Sequence, residues 1–188
     1  MYVWLGLVFN KEIEYNIRKI CKKINKEFEV SEQSFTLPQH ISLKTSFNDQ
    51  NYKEVIEYLK MVWKEYESID VKLIGITKLN GVIWIDVEKN EKLIEIHNNL
   101  NEKLLKKFSI PLIKFDGDKF AFHSTLFQDS QNNDKLEEIY KSLKEVFAFP
   151  LKLKLNKVDF GISKEGVVGT FNVYDKVIMN GGMKNDNR

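Results

Sequence analysis

A chain of 188 residues with 43% hydrophobic and 12% aromatic content can bury one good core, or two small lobes sharing an interface, but not two independent domains. Its 29 basic and 27 acidic residues leave a net charge of +2, far from the basic excess of a protein that wraps duplex nucleic acid, and better suited to a short ligand such as one nucleotide or a strand end. With only Arg18 and Arg188 as arginines, a phosphate site must use lysine, hydroxyls, histidine or backbone N–H groups.

Tyr2–Phe9 alternates as a strand, with Val3, Leu5, Leu7 and Phe9 on one face and Tyr2, Trp4, Gly6 and Val8 on the other. It lacks a basic leader and is too short to cross a bilayer, and no other segment approaches that length, so a cytoplasmic location is expected. Asn10-Lys11-Glu12 opens an amphipathic helix that ends at Phe28. Cys21, in line with Ile17, Ile20 and Ile24, reads as core, and a single cysteine can form no internal disulfide. Gln39-His40-Ile41-Ser42-Leu43 reads as a strand, Glu54 to Tyr66 as a helix, and Val71–Leu79 with Val82–Val87 as a strand pair.

The order is then repeated. Ile83-Trp84-Ile85 answers Val3-Trp4-Leu5, Asn90-Glu91-Lys92 answers the first helix opening, and the helix closes at Phe108 as its counterpart closes at Phe28, all at one separation. Phe122-His123-Ser124-Thr125-Leu126 is the second histidine strand. A helix from Leu136 to Phe147 and strands Leu151–Val158 and Val167–Val173 complete the copy, with Val82–Val87 serving both copies. These elements predict an α+β fold with helices on one face of each sheet, one domain over 1–175 made of pseudo-repeats of about 1–80 and 81–175, and a polar tail over 176–188. No Gly-rich turn joins a strand to a helix, so neither a dinucleotide fingerprint nor a P-loop is supported.

Side chains two apart on a strand share a face, so His40 pairs with Ser42 and His123 with Thr125. Approximate two-fold symmetry would bring these His-x-hydroxyl pairs together across a groove. Phosphodiester cleavage needs one group to take a proton from the attacking oxygen and another to give one to the leaving oxygen; histidine can do either near neutral pH. The hydroxyls can donate to the non-bridging oxygens, where charge builds. Histidines of ordinary pKa predict a bell-shaped rate profile with its maximum between about pH 5.5 and 7.5. A zinc site would want three or four clustered ligands, and none is visible, so no metal or other cofactor is expected. His97 falls in a helix opposite Ile17 of the first copy and reads as structural.

These residues resemble the 2H phosphoesterase superfamily, which includes "2′-5′ RNA ligase" proteins and cyclic phosphodiesterases. Its signature is a pair of His-x-Ser/Thr-x motifs with an apolar last position, standing here as His40-Ile41-Ser42-Leu43 and His123-Ser124-Thr125-Leu126. Ser124 departs from the pattern, since its position is usually apolar and should face the helix layer. The resemblance implies a bilobal fold, two antiparallel sheets facing a central cleft with helices outside, metal-independent chemistry and, often, 2′,3′-cyclic phosphate ends as substrate. The expected substrate is a nucleotide or RNA end, met by a monomer. Ligation by the same groups in reverse, or non-catalytic binding of RNA ends, are the alternatives. Around the site, Lys44 is placed two residues beyond Ser42, where it could offset phosphate charge, opposite an apolar Phe127; Trp4 is placed to stack on a base beside Gly6, with Trp84 as its counterpart.

Overall fold

The computed structural model describes residues 1–180 of the chain. In chain order its elements are β1 (Tyr2–Val8), α1 (Lys11–Phe28), a 3-10 turn (Gln33–Phe35), β2 (His40–Ser42), β3 (Phe47–Asn48), α2 (Tyr52–Lys64), β4 (Ile69–Leu79), β5 (Val82–Val87), α3 (Glu91–Phe108), β6 (His123–Gln128), α4 (Asn133–Val146), β7 (Leu151–Leu155), β8 (Lys157–Ser163) and β9 (Asn172–Ile178). They form the expected two-lobed α+β fold. One antiparallel sheet runs β2-β1-β8-β9, with β3 also paired to β1; the other runs β6-β5-β4-β7.

Alternation decides what each strand buries. Val3, Leu5 and Leu7 of β1 are fully buried in a core shared with the helices, as are Ile83 and Ile85 of β5. The opposite faces carry Trp4, Gly6 and Val8 in β1, and Trp84 and Asp86 in β5. The duplication extends to the helix caps. Asn10 and Asn90 each accept a hydrogen bond from the N–H three residues on, at 2.9 and 2.8 Å, and α1 and α3 each end in left-handed backbone, at Glu29 and Ser109.

The first sheet draws on both ends of the chain and the second on its middle. β1 and β2 are joined by β8 and β9, whereas β4 and β5 are joined by β6 and β7. The single strand expected over Leu151–Val158 is therefore two, in different sheets, and its expected partner at Val167–Val173 is replaced by β9. The physical reason is a change of phase at Asn156: buried Leu153 and Leu155 sit on odd positions, Val158 and Phe160 on even ones. An unbroken strand would have turned one of these pairs to solvent. β9 runs to Ile178, so residues 176–178 of the expected tail are strand; its residues 181–188 lie outside the described part. Among the described residues, no helix is long and apolar enough to cross a membrane.

Candidate active site

β2 and β6 are end strands of their sheets and lie against each other. Alternation buries Ile41, Leu43, Ser124 and Leu126 and leaves His40, Ser42, His123 and Thr125 half-buried, lining one cavity of about 640 Å³. The two imidazoles are held alike. His40 Nδ1 lies 2.7 Å from the Pro38 carbonyl oxygen, and His123 Nδ1 lies 2.8 Å from that of Ala121. A carbonyl only accepts, so Nδ1 carries the hydrogen in both rings and Nε2 is left for proton transfer.

A tryptophan backs each histidine. The Trp4 ring meets His40 edge-on at 4.3 Å between centroids, and Trp84 lies 4.4 Å from His123. The Trp4 indole occupies the space left by two glycines: a Cβ on Gly6 or Gly161 would fall 2.4 or 2.8 Å from it. Trp4 is only 5% exposed, so it offers little open face for the base stacking expected of it. Instead its N–H donates to Ser42 Oγ at 3.2 Å, which leaves the serine's own hydrogen to be donated elsewhere. Trp84 differs. Its N–H donates to Asp86 Oδ1 at 2.9 Å, and Asp86 Oδ2 accepts from Thr77 Oγ1 at 2.8 Å.

This difference makes the two halves electrostatically unequal. Across the strands, His123 faces Asp86, whereas His40 faces Val8. Burial pushes His40 down to about 4, opposed by its bond to Pro38 and aided by the nearby positive charges of His123 and Arg18. Burial also lowers His123, but there the Ala121 bond and the Asp86 carboxylate both work to raise it. Cys21 is no competing nucleophile: it is buried, and its thiol is pushed up to about 12 by that burial.

The segment before β2 fixes the relative position of the motifs. Gln39 Nε2 donates to Ser124 Oγ at 2.7 Å and to the Thr125 carbonyl at 2.8 Å, Ser34 Oγ to the Leu126 carbonyl at 2.9 Å, and the Ser31 N–H to Asp129 at 2.9 Å. Arg18 donates to the carbonyls of Phe35 and Leu37 and so holds this segment to α1. Gln39 also answers the departure at Ser124, whose fully buried hydroxyl has a polar partner rather than an apolar neighbour alone.

β2 ends at Ser42, so the two-residue alternation no longer applies; Lys44 lines the same cavity as the histidines, with its ammonium buried on Asp116 and Asn101. Its counterpart Phe127 is likewise fully buried, against Phe35. His97 is structural: Nδ1 donates to the Leu43 carbonyl at 2.9 Å, Nε2 accepts from the Gly117 N–H at 3.0 Å, and the ring stacks on Phe120. Asp86, Gln39 and Arg18 were not singled out from sequence. Asp86 alone had a visible signal, an acidic residue on the same strand face as Trp84. Among the described residues, no three His, Cys, Asp or Glu side chains are grouped to hold a metal ion.

The sequence profile of the 2′-5′ RNA ligase superfamily matches residues 15–166, a span that takes in both histidine motifs. The chain belongs to the 2′-5′ RNA ligase superfamily. Solved structures agree with this membership at the level of fold. TT0787 of Thermus thermophilus superposes with a TM-score of 0.63 at 14% identity, covering 97% of this chain and 100% of its own. E. coli LigT complexed with NADP+ gives 0.56 at 11% identity, covering 95% and 97%. LigT complexed with 3′-AMP gives 0.52 at 10% identity, covering 94% and 96%. No curated protein matches the chain by sequence.

Proposed function

We propose that the chain is a metal-independent phosphoesterase acting on 2′,3′-cyclic or 2′-linked phosphodiesters of nucleotides or RNA ends, with His40 as general base and His123 as general acid. The observation that carries this is the pair of imidazoles, each locked through Nδ1 and lining one cavity with two hydroxyls. His40, the more strongly depressed ring, is neutral and accepts the proton of the attacking oxygen as the new P–O bond forms. His123, supported by Asp86, gives a proton to the leaving oxygen as its P–O bond breaks. Ser42 and Thr125 donate to the non-bridging oxygens. Ligation would use the same groups in reverse, with a strand-end hydroxyl as nucleophile or leaving group. The LigT structures with NADP+, ATP, 3′-AMP and phosphate support a nucleotide ligand.

The test is a product-resolved assay, with EDTA present, on 2′,3′-cyclic nucleotides, cyclic-ended oligonucleotides and 2′-5′ linked dinucleotides. Turnover that His40→Ala and His123→Ala each reduce ~10²-fold or more supports the reading. Turnover that survives both substitutions, or is abolished by EDTA, overturns it.

A further inference from the structure

The loop between α3 and β6 is held by an elaborate set of buried contacts, and it projects an aromatic ring and two cations toward the catalytic cavity. Asp116, at its centre, accepts from the Thr45 N–H at 3.0 Å and the Ile113 N–H at 3.2 Å, and pairs with Lys44, both side chains being fully buried. The Gly117 N–H donates to His97, and Phe120 stacks on the same ring at 4.2 Å. A buried ion pair is seldom a net gain in stability, because desolvating both charges offsets their attraction. What this one secures is position.

The residues so positioned are Lys114, Phe115 and Lys119. All three line the cavity that holds His40 and His123, yet all are exposed, Phe115 by 66%. The Lys114 ammonium lies 5.6 Å from the centre of the Phe115 ring. Apart from Lys114, Lys119, the two histidines and Lys44, whose ammonium is buried on Asp116, no residue lining the cavity is charged. The exposed cations of the cavity are therefore the two that accompany the aromatic.

We propose that this loop seats the nucleotide adjoining the reacting phosphate, Phe115 stacking on its base and Lys114 and Lys119 meeting the phosphates beyond it, so that the preferred substrate is an oligonucleotide end rather than a mononucleotide. The proposal rests on the reading of the cavity as a phosphodiester site. Every base presents a face that an aromatic ring can stack on, so the seat holds a single strand with little regard to sequence. Two lysine contacts also fit a chain of net charge +2, which is too weakly basic to grip a long duplex.

The experiment compares kcat/KM for a 2′,3′-cyclic mononucleotide and a 2′,3′-cyclic-ended tetranucleotide, in wild type, Phe115→Ala and the double variant Lys114→Gln with Lys119→Gln. The expected result is a wild-type preference for the tetranucleotide that drops at least about fivefold in each variant. No preference in wild type, or one that both variants keep, overturns the proposal. A parallel arm measures binding of a fluorescent 3′-phosphorylated tetranucleotide by anisotropy across salt. The slope of log affinity on log salt should be about −1.4 for two contacts and approach zero in the lysine variant. This arm stands without turnover. If neither substrate is cleaved, the catalytic reading fails, while salt-dependent binding that still requires Phe115 and the two lysines upholds the seat. Binding that is indifferent to them sinks it.

Discussion

Gln39 and Ser124 join the two histidine motifs side chain to side chain. The residue just before His40 donates from Nε2 to the hydroxyl of the residue just after His123, at 2.7 Å, with Gln39 only 3% and Ser124 0% exposed. Gln39→Leu should strand that hydroxyl and the Thr125 carbonyl and cost about 1–3 kcal/mol, measured by urea unfolding. Adding Ser124→Ala should recover part of the loss, giving a coupling of about 0.5–1.5 kcal/mol in the double-mutant cycle. Simple additivity would mean that the pair does not hold the sheets together.

Burial moves the expected pH profile. With His40 pushed down to about 4 and His123 also lowered, kcat/KM should rise near pH 4 and fall before the ordinary histidine value, peaking below about pH 5.5 rather than between 5.5 and 7.5. Bound substrate phosphate favours both charged rings, so the kcat profile should lie to the alkaline side of this one. A kcat/KM maximum above pH 7.5 would contradict the geometry.

Stability should follow the same groups. His40, His97 and His123 are all lowered in the fold, so below about pH 6.5 the unfolded chain binds protons that the native state resists. Their contribution is present above that pH and is lost as pH falls toward 4. Calorimetry should show Tm steady from pH 8 to 7 and declining steeply between 6 and 4.5.

Asp86→Asn removes the carboxylate that raises His123. The alkaline limb of the kcat/KM profile should shift by about half to one pH unit toward acid, with the acid limb left in place. An equal shift of both limbs would mean that Asp86 acts on the cavity as a whole and not on His123.

Lys44→Met leaves Asp116 buried and unpaired. Burial works to raise this carboxyl, but Lys44 and the N–H groups of Thr45 and Ile113 hold it below its ordinary value. The loss should be about 3–5 kcal/mol by denaturant titration, and Lys44→Met with Asp116→Leu should be milder than Lys44→Met alone.

What the sequence made legible was whatever repeats or alternates. The caps at Asn10 and Asn90, the buried odd residues of β1, and the two His-x-hydroxyl strands all obey one period or one separation. The ion pair of Lys44 with Asp116 was not legible, because alternation holds only while a strand lasts, and β2 stops at Ser42. The change of phase at Asn156 has a trace in the step from Leu153 and Leu155 to Val158 and Phe160, which a run of alternating lysines hides. The loop carrying Phe115 has no period at all; its shape comes from Asp116 and His97 meeting partners on distant segments. Gln39 gave no sign because its repeat counterpart is the apolar Phe122.

The exchange of strands between the sheets sets an order on biosynthesis. A nascent chain can complete β6-β5-β4-β7 once Leu155 has emerged, but β1, among the first residues made, waits for β8 and β9, which end at Ile178. His123 thus enters a finished sheet while His40 still sits on a partly paired one, and that long-range closure is the slow kind. Ribosome-stalled chains carrying Met1–Leu155 followed by an unrelated linker long enough to bring Leu155 outside the ribosome should therefore protect β5 amides from hydrogen exchange and leave those of β1 open.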